Sequence, residues 1–426
     1  MKSQVGFGAV VFLAVVASLF QGCSPTDLEI LKQTLESANT GCQGCLPEEG
    51  EYPEGEGELS EGEALEGEVT PVEGESSEGE TIEGEETPWE GEEIPQEGEP
   101  EGGEPVTLPD NLLMLSEVTF QMGRPYSDAG VNNELPVHNV YLDAYQIGMF
   151  PVTNQEYALV LNFAYARGYL RDDMGGAYTG GEVYAYGKKL ANTVDSSIAS
   201  QIVFVGGVFA PRVREGYNGQ DFSMADHPAV HVSWYGAVAY CNWLSEKLGL
   251  QPCYDTATWN LLEPLRNGFR LPTEAEWEHA AAWDGSKHWR YAVTSDVLAS
   301  NRANYRTDTA ADPLELVDLP YTSPVGWYNG INPVRLSTPG ASTVLAMSPR
   351  GAFDMSGNVW EWCHDYYATY PAGDQANPTG PETGAEKVLR GGSWNSFEND
   401  CRSASRAYSP PETTTYTDGF RVARTP

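Results

Sequence analysis

Apolar and polar side chains alternate from Leu112 to Met122 and again from His138 to Tyr145, the period of a half-buried β-strand. The period then changes. Thr153 and Glu156 stand three apart ahead of Tyr157, Val160, Leu161 and Ala164, a capping box opening onto one helical stripe, and Gly168 marks the expected end. A second helix is expected after Ser233, through Val238, Cys241 and Leu244 to Gly249. A third opens on the capping box Thr273 to Glu276 and turns Trp277, Ala280 and Ala281 inward. Between the first two, Tyr178 to Asp226 is polar and Gly-rich with short β-like runs such as Gln201 to Phe209, which reads as a hairpin decoration. From Ala282 onward turns and short strands dominate. The pattern predicts an α+β domain with low regular secondary structure over residues 107–426, held by aromatic packing.

The first quarter of the chain follows other rules. Lys2 precedes an apolar run from Val5 to Phe20, so residues 1–22 read as an export signal. Phe20-Gln21-Gly22-Cys23 resembles the bacterial lipobox, which implies a lipid on Cys23; ordinary secretory cleavage is the alternative. Ser24, rather than Asp, follows that cysteine, which points to the outer membrane of a bacterial envelope. A membrane-proximal segment follows over residues 23–47, with Leu28, Leu31 and Leu35 on one helical stripe. Its Cys42-Gln-Gly-Cys45 has redox or zinc spacing without a second pair, and a local disulfide or free thiols are the simpler reading.

Residues 48–106 hold twenty-four glutamates between Glu48 and Glu104 and no lysine or arginine. Such a Glu/Gly tract cannot bury enough apolar surface to offset chain entropy and is expected to be a disordered tether. Its reach lies between about 40 Å as a coil and about 200 Å fully stretched. Taking those charges from the total of −38 leaves −14 for the rest. With no basic stripe, nucleic acid is excluded as a partner, and the membrane is met through the lipid anchor only.

Candidate chemistry gathers near the C-terminus. Gly391 and Gly392 permit close backbone approach, Trp394 offers a large face, and Cys401 is a candidate soft ligand or redox centre with Arg402 beside it to favour the thiolate. Cys241, Cys253, Cys363 and Cys401 remain in the domain, and sequence assigns no pairing. Asp354, Gly357, Val359 and Glu361 form a second candidate: residues two apart in an extended segment point the same way, and two carboxylates with two carbonyls make an oxygen cage suited to calcium. The alternative is that Asp354 and Glu361 cap turns or pair with arginines. His227 and His231 are four apart, but Pro228 between them denies the helical presentation of a zinc pair.

Several short motifs recur in one order: Phe120-Gln121-Met122-Gly123, Pro151-Val152-Thr153-Asn154, Val232-Ser233-Trp234, Arg270-Leu271-Pro272-Thr273-Glu274-Ala275-Glu276-Trp277-Glu278, Gly357-Asn358-Val359-Trp360-Glu361-Trp362, Arg390-Gly391-Gly392-Ser393-Trp394 and Gly419-Phe420-Arg421. In this order and spacing the chain resembles the formylglycine-generating enzymes, or sulfatase-modifying factors, over residues 107–426. The resemblance implies an irregular α+β fold related to the C-type lectin fold. It also implies an oxidase that uses O₂ and Cu(I), held by two thiolates, to convert a sulfatase cysteine to formylglycine. The second thiolate matches Cys401; the first falls on Ser396, and a hydroxyl is a poor Cu(I) ligand. Ser393 and Trp360 match positions lining that active site. Structural Ca²⁺ is implied at Asp354, Gly357, Val359 and Glu361, and a second site would begin at Asn304 and Tyr305, with Asp318 as a guess for its acid. Three functions follow as expectations: a binding module or degenerate enzyme that recognises a protein, peptide or glycan between Trp394 and Tyr408; an active oxidase; or a purely structural envelope protein on an acidic stalk.

Overall fold

The computed structural model describes residues 111–127, 130–194, 197, 199–307, 312–338 and 340–426. The export signal, Cys23, Cys42, Cys45 and the tether over 48–106 lie outside the described residues.

Each of the two alternating stretches is broken once. The first becomes β1 (Leu112–Leu115) and β2 (Val118–Met122), and the second β3 (His138–Leu142) and β4 (Tyr145–Gly148). β1 pairs with β4 and β2 with β3, with Leu115 opposite Tyr145 and Val118 opposite Leu142. The two runs therefore make one antiparallel ribbon that changes sheet at residues 116–117 and 143–144. A continuous alternation cannot reveal such a break, because the inward face stays apolar on both sides of it.

α1 (Asn154–Ala166) starts on the expected box: Glu156 N donates to Thr153 Oγ1 at 3.2 Å, and Thr153 N to Glu156 Oε2 at 2.8 Å. Gly168 follows it at φ +69°. The decoration is three hairpins: β5 (Gly181–Ala185) with β6 (Lys188–Thr193), β7 (Ile202–Val205) with β8 (Val208–Pro211), and β9 (Val213–Glu215) with β10 (Asp221–Ser223). The run from Gln201 to Phe209 thus folds back on itself, turning at Gly206-Gly207, both at positive φ. α2 (Trp234–Lys247) is capped by Ser233, whose Oγ accepts from Gly236 N. β11 (Phe269–Arg270) leads into α3 (Glu274–Ala282), again with a full capping box.

Beyond α3 the chain is mostly turns until β12 (Trp360–Tyr366), followed by β13 (Gln375–Ala376), β14 (Lys387–Arg390), β15 (Arg406–Ser409), β16 (Asp418–Gly419) and β17 (Ala423–Arg424). The larger sheets run β1-β4-β17-β11, β13-β3-β2 and β15-β14-β12-β16. One core joins α1, α2 and the first two hairpins to Trp362 and Phe420; a second packs Trp277 of α3 against Phe120, Val140, Tyr145 and Val388. A third gathers Tyr291, Tyr305, Tyr328 and Cys401. This is the irregular α+β architecture that the pattern predicts.

Candidate functional site

α3 lies where the motifs meet, and all three of its glutamates are buried and paired. Glu274 takes two bonds from Arg406, at 2.6 and 2.7 Å. Glu276 takes two from Arg270, both 2.6 Å. Glu278 pairs with Arg390 and also accepts from Gly123 N at 2.6 Å and His288 Nε2 at 3.0 Å. Burial alone would raise the Glu278 carboxyl, but Arg390 and His288 overcome it and hold the group at about 2. Glu134 grips Arg402 at 2.8 Å through both oxygens, and Glu361 grips Arg421 at 2.6 and 2.7 Å. The sequence reading offered pairing with an arginine as the alternative for Glu361, which the structure shows, and missed the rest of this network. Its signal was present, in acids at positions 274, 276 and 278 of a helix whose neighbours are alanine and tryptophan.

The Cys401 corner is built differently. Gly391 and Gly392 have φ of +96° and +75°, and a Cβ on Gly392 would lie 2.6 Å from Cys401 Sγ. Cys401 ends a single 3-10 turn (Glu398–Cys401), is fully buried, and has its carbonyl fixed by Ser356 Oγ at 2.8 Å. Burial pushes its thiol up, and Asp400 and Glu398 push the same way. Arg402 opposes them weakly because its guanidinium is bound to Glu134, so the expected thiolate is corrected to a protonated thiol. Ser396 is close to Ser393: Ser393 N donates to its Oγ at 3.0 Å, and the two hydroxyls are 3.2 Å apart. Cys363 belongs to the α3 core, not to this one, so it brings no second sulfur. One protonated thiol and a hydrogen-bonded hydroxyl do not fit Cu(I). Trp360 is half-buried at the start of β12, its backbone N–H donating to Thr417 O at 2.8 Å. Trp394 stands between Tyr321 and Tyr416, with ring centroids at 5.2 and 5.9 Å.

The calcium residues divide. Asp354, at φ +60°, accepts from Gly326 N at 2.7 Å through Oδ2 and makes no other hydrogen bond among the described residues. Burial, with Glu361 adding, lifts its carboxyl to about 6, a cost that a bound cation would remove. Glu361 is paired with an arginine, and Trp277 Nε1 also donates to it at 2.7 Å. Its Oε1 takes only one bond, so a lone pair remains. The Gly357 carbonyl accepts from Val359 N at 2.9 Å, so the oxygens left for a hard cation are chiefly those of Asp354 and the free lone pair of Glu361. At the second site Asn304 Oδ1 is buried without a partner. The carbonyls of residues 318, 319 and 320 are instead held by the Arg214 guanidinium at 2.6, 2.7 and 3.3 Å, so a fixed cation already stands there, and Asp318 is exposed. His227 and His231 are buried and held neutral, near 3 and 4, burial being the main cause. No cluster of three or more His, Cys, Asp or Glu fit to hold a metal occurs among the described residues.

The model of the sulfatase-modifying factor enzyme 1-like domain matches residues 101–426. The chain belongs to that family. It is 30% identical to the formylglycine-generating enzyme of Streptomyces coelicolor over 322 residues, 71% of this chain and 86% of that one. It is 29% identical over 335 residues to the serine/threonine-protein kinase pkn1 of Chlamydia pneumoniae, 77% of this chain but only 40% of that entire protein. A 200-residue stretch is 30% identical to the chaperone protein LppX of Paenibacillus barcinonensis, covering 43% of this chain and 65% of that one. Within the family, the paired glutamates of α3 and the Cys401 corner fall inside the matched region.

Proposed function

We propose that residues 107–426 form a ligand-binding module on the sulfatase-modifying-factor scaffold, without its oxidase chemistry. The observation that carries this is Ser396 at the first ligand position, hydrogen-bonded to Ser393, together with a fully buried Cys401 whose thiol burial pushes up. A Cu(I) ion, when bound in a family site, activates O₂ at two thiolates. Here one sulfur is absent and the other holds its proton. The ligand is a protein, peptide or glycan of the bacterial cell envelope, met by the surface between Trp394 and Tyr408. Phe397, under Arg306, is 57% exposed there and Tyr408 48%. A relative named as a chaperone protein supports a role without oxidation. Structural Ca²⁺ would be held by Asp354 and Glu361 with the carbonyls of Gly357 and Val359, fixing the turn before β12. The lipid on Cys23 would tie the module to the membrane through the acidic tether.

The alternative, an active formylglycine-generating oxidase, rests on the retained family motifs. A Cys-x-Pro-x-Arg peptide incubated with the full chain, O₂ and copper separates the two. The module leaves the peptide mass unchanged; loss of mass at its cysteine contradicts the proposal.

A further inference from the structure

Behind β12 and the first turn of α3, a cavity of about 370 Å³ opens beneath the loop through residues 375–381. Neither Cys401, Ser396, Ser393 nor Trp360 lines it. Two of its charged groups cancel, because Arg406 clasps Glu274 and gives its Nη1 hydrogens to the carbonyls of Asn133 and Ala368 at 2.8 and 3.0 Å. His138 bonds Pro136 O through Nδ1 at 3.0 Å and leans on Tyr370, with ring centroids 5.0 Å apart. Asp365 is left over. It is only 5% exposed, its Oδ2 accepts from Glu274 N at 2.8 Å, and its Oδ1 accepts no hydrogen bond among the described residues. Lys387 does not neutralise it, since that ammonium bonds His364 O at 2.8 Å and sits over the rings of Tyr366 and Trp234 at 3.4 and 3.9 Å. Tyr366, Tyr370 and three prolines make up much of the remaining wall.

The geometry points to a binding site for a small organic amine, with its ammonium on Asp365 and its apolar body between the tyrosines and prolines. A single uncompensated carboxylate in an apolar, aromatic-walled cavity favours a cation that brings its own apolar surface. An anion finds Arg406 already engaged. A metal ion finds one carboxylate where it needs several oxygens. Arg406 is the one lining residue shared with the 394–408 stretch, and it is taken up by Glu274, so the site does not depend on the surface proposed above.

Three charged groups act on Asp365 from the elements packed around it: Glu274 and Glu276 of α3, which oppose its ionisation, and Lys387 of β14, which favours it. Arg406 and His138 line the same cavity. Burial and Glu274 push the carboxyl up to about 7. Amine binding therefore displaces a proton at and below neutral pH, and the affinity rises with pH through that value while the amine stays charged.

Calorimetric titration of the full chain with hexylammonium, 1-hexanol and hexanoate tests this. At pH 8 hexylammonium is expected to bind at least about tenfold more tightly than 1-hexanol, weakening about tenfold by pH 6 with proton release. Asp365→Asn is expected to erase the preference for the amine. Thr369→Trp, at an exposed rim position, is expected to block amine and alcohol together and keeps the test open if the first variant misfolds. Equal binding of the alcohol, preference for hexanoate, no binding of hexylammonium at millimolar concentration, or an amine preference that survives in Asp365→Asn would each overturn the proposal.

Discussion

Helix α3 and the turn that ends at Cys401 both carry family motifs and both are buried, yet they treat polar groups in opposite ways. On α3 every carboxylate is clasped by an arginine, and Glu278 is held near 2 against the effect of burial. At Cys401 the same burial prevails: the thiol keeps its proton, and its neighbour at the first ligand position is a serine bonded to another serine. The first region shows what it takes to keep charge inside a protein, namely bidentate partners and backbone donors for the remaining lone pairs. In the second, backbone N–H groups reach the serine hydroxyls, but the Cys401 sulfur has neither kind of partner among the described residues. Motifs that serve the scaffold therefore persist with their partners intact, while a motif that elsewhere serves chemistry persists only in outline. Membership of the family accordingly establishes the fold and leaves activity to be argued at the site.

The comparison is sharpened most by breaking its strong side. Glu278→Ala leaves Arg390 only the longer ion pair to Glu274, at 3.5 Å, and should cost about 3–5 kcal/mol, read as a lower urea midpoint. The same pair makes stability depend on acid. Glu278 has its pKa depressed in the fold, so its contribution is present above its unfolded value of 4.5 and is lost as pH falls from there toward about 2. Melts across that window should show a slope that Glu278→Gln removes.

Calcium comes next. Saturating Ca²⁺ at a hundredfold over Kd should raise stability by about 2.7 kcal/mol, and Asp354→Ala should abolish the rise. A wild-type melt unmoved by exhaustive chelation would remove the ion from the account. The smallest effect is expected at the weak side: Cys401→Ala loses packing but strands no charge, and should cost about 1–2 kcal/mol. A loss equal to that of Glu278→Ala would erase the contrast between the two regions.

Local signals were legible in the sequence. The boxes at Thr153 and Thr273 and the cap at Ser233 each operate over three residues, and the three α-helices among the described residues begin where those residues stand. The serine at position 396 was legible in the same way, through the motif around it. What the sequence hid is separated along the chain. Glu278 meets Arg390 112 residues away, and Glu274 meets Arg406 132 residues away; no window of neighbouring residues contains either pair. The cavity at Asp365 was hidden for a related reason. On β12, Glu361, Cys363 and Asp365 are buried, and only the fold shows that Arg421 forms an ion pair with the first acid while, among the described residues, the last has a backbone N–H but no ion pair. The lipid anchor and tether lie outside the described residues and stand on their sequence patterns alone.

The central claim is that the Cys401 corner is not a copper site. Anaerobic titration of the full chain with Cu(I), against a competing Cu(I) chelator, tests it directly, with Ser396→Cys run alongside. The wild type is predicted to leave the metal with the chelator, because a single buried, protonated thiol offers half of the two-sulfur set that Cu(I) prefers. Ser396→Cys adds one sulfur in a side chain of nearly the same size and is predicted to draw Cu(I) away in a one-to-one complex. Withdrawal of one equivalent of Cu(I) by the wild type, lost in Cys401→Ala, would contradict the account and return the corner to oxidase chemistry.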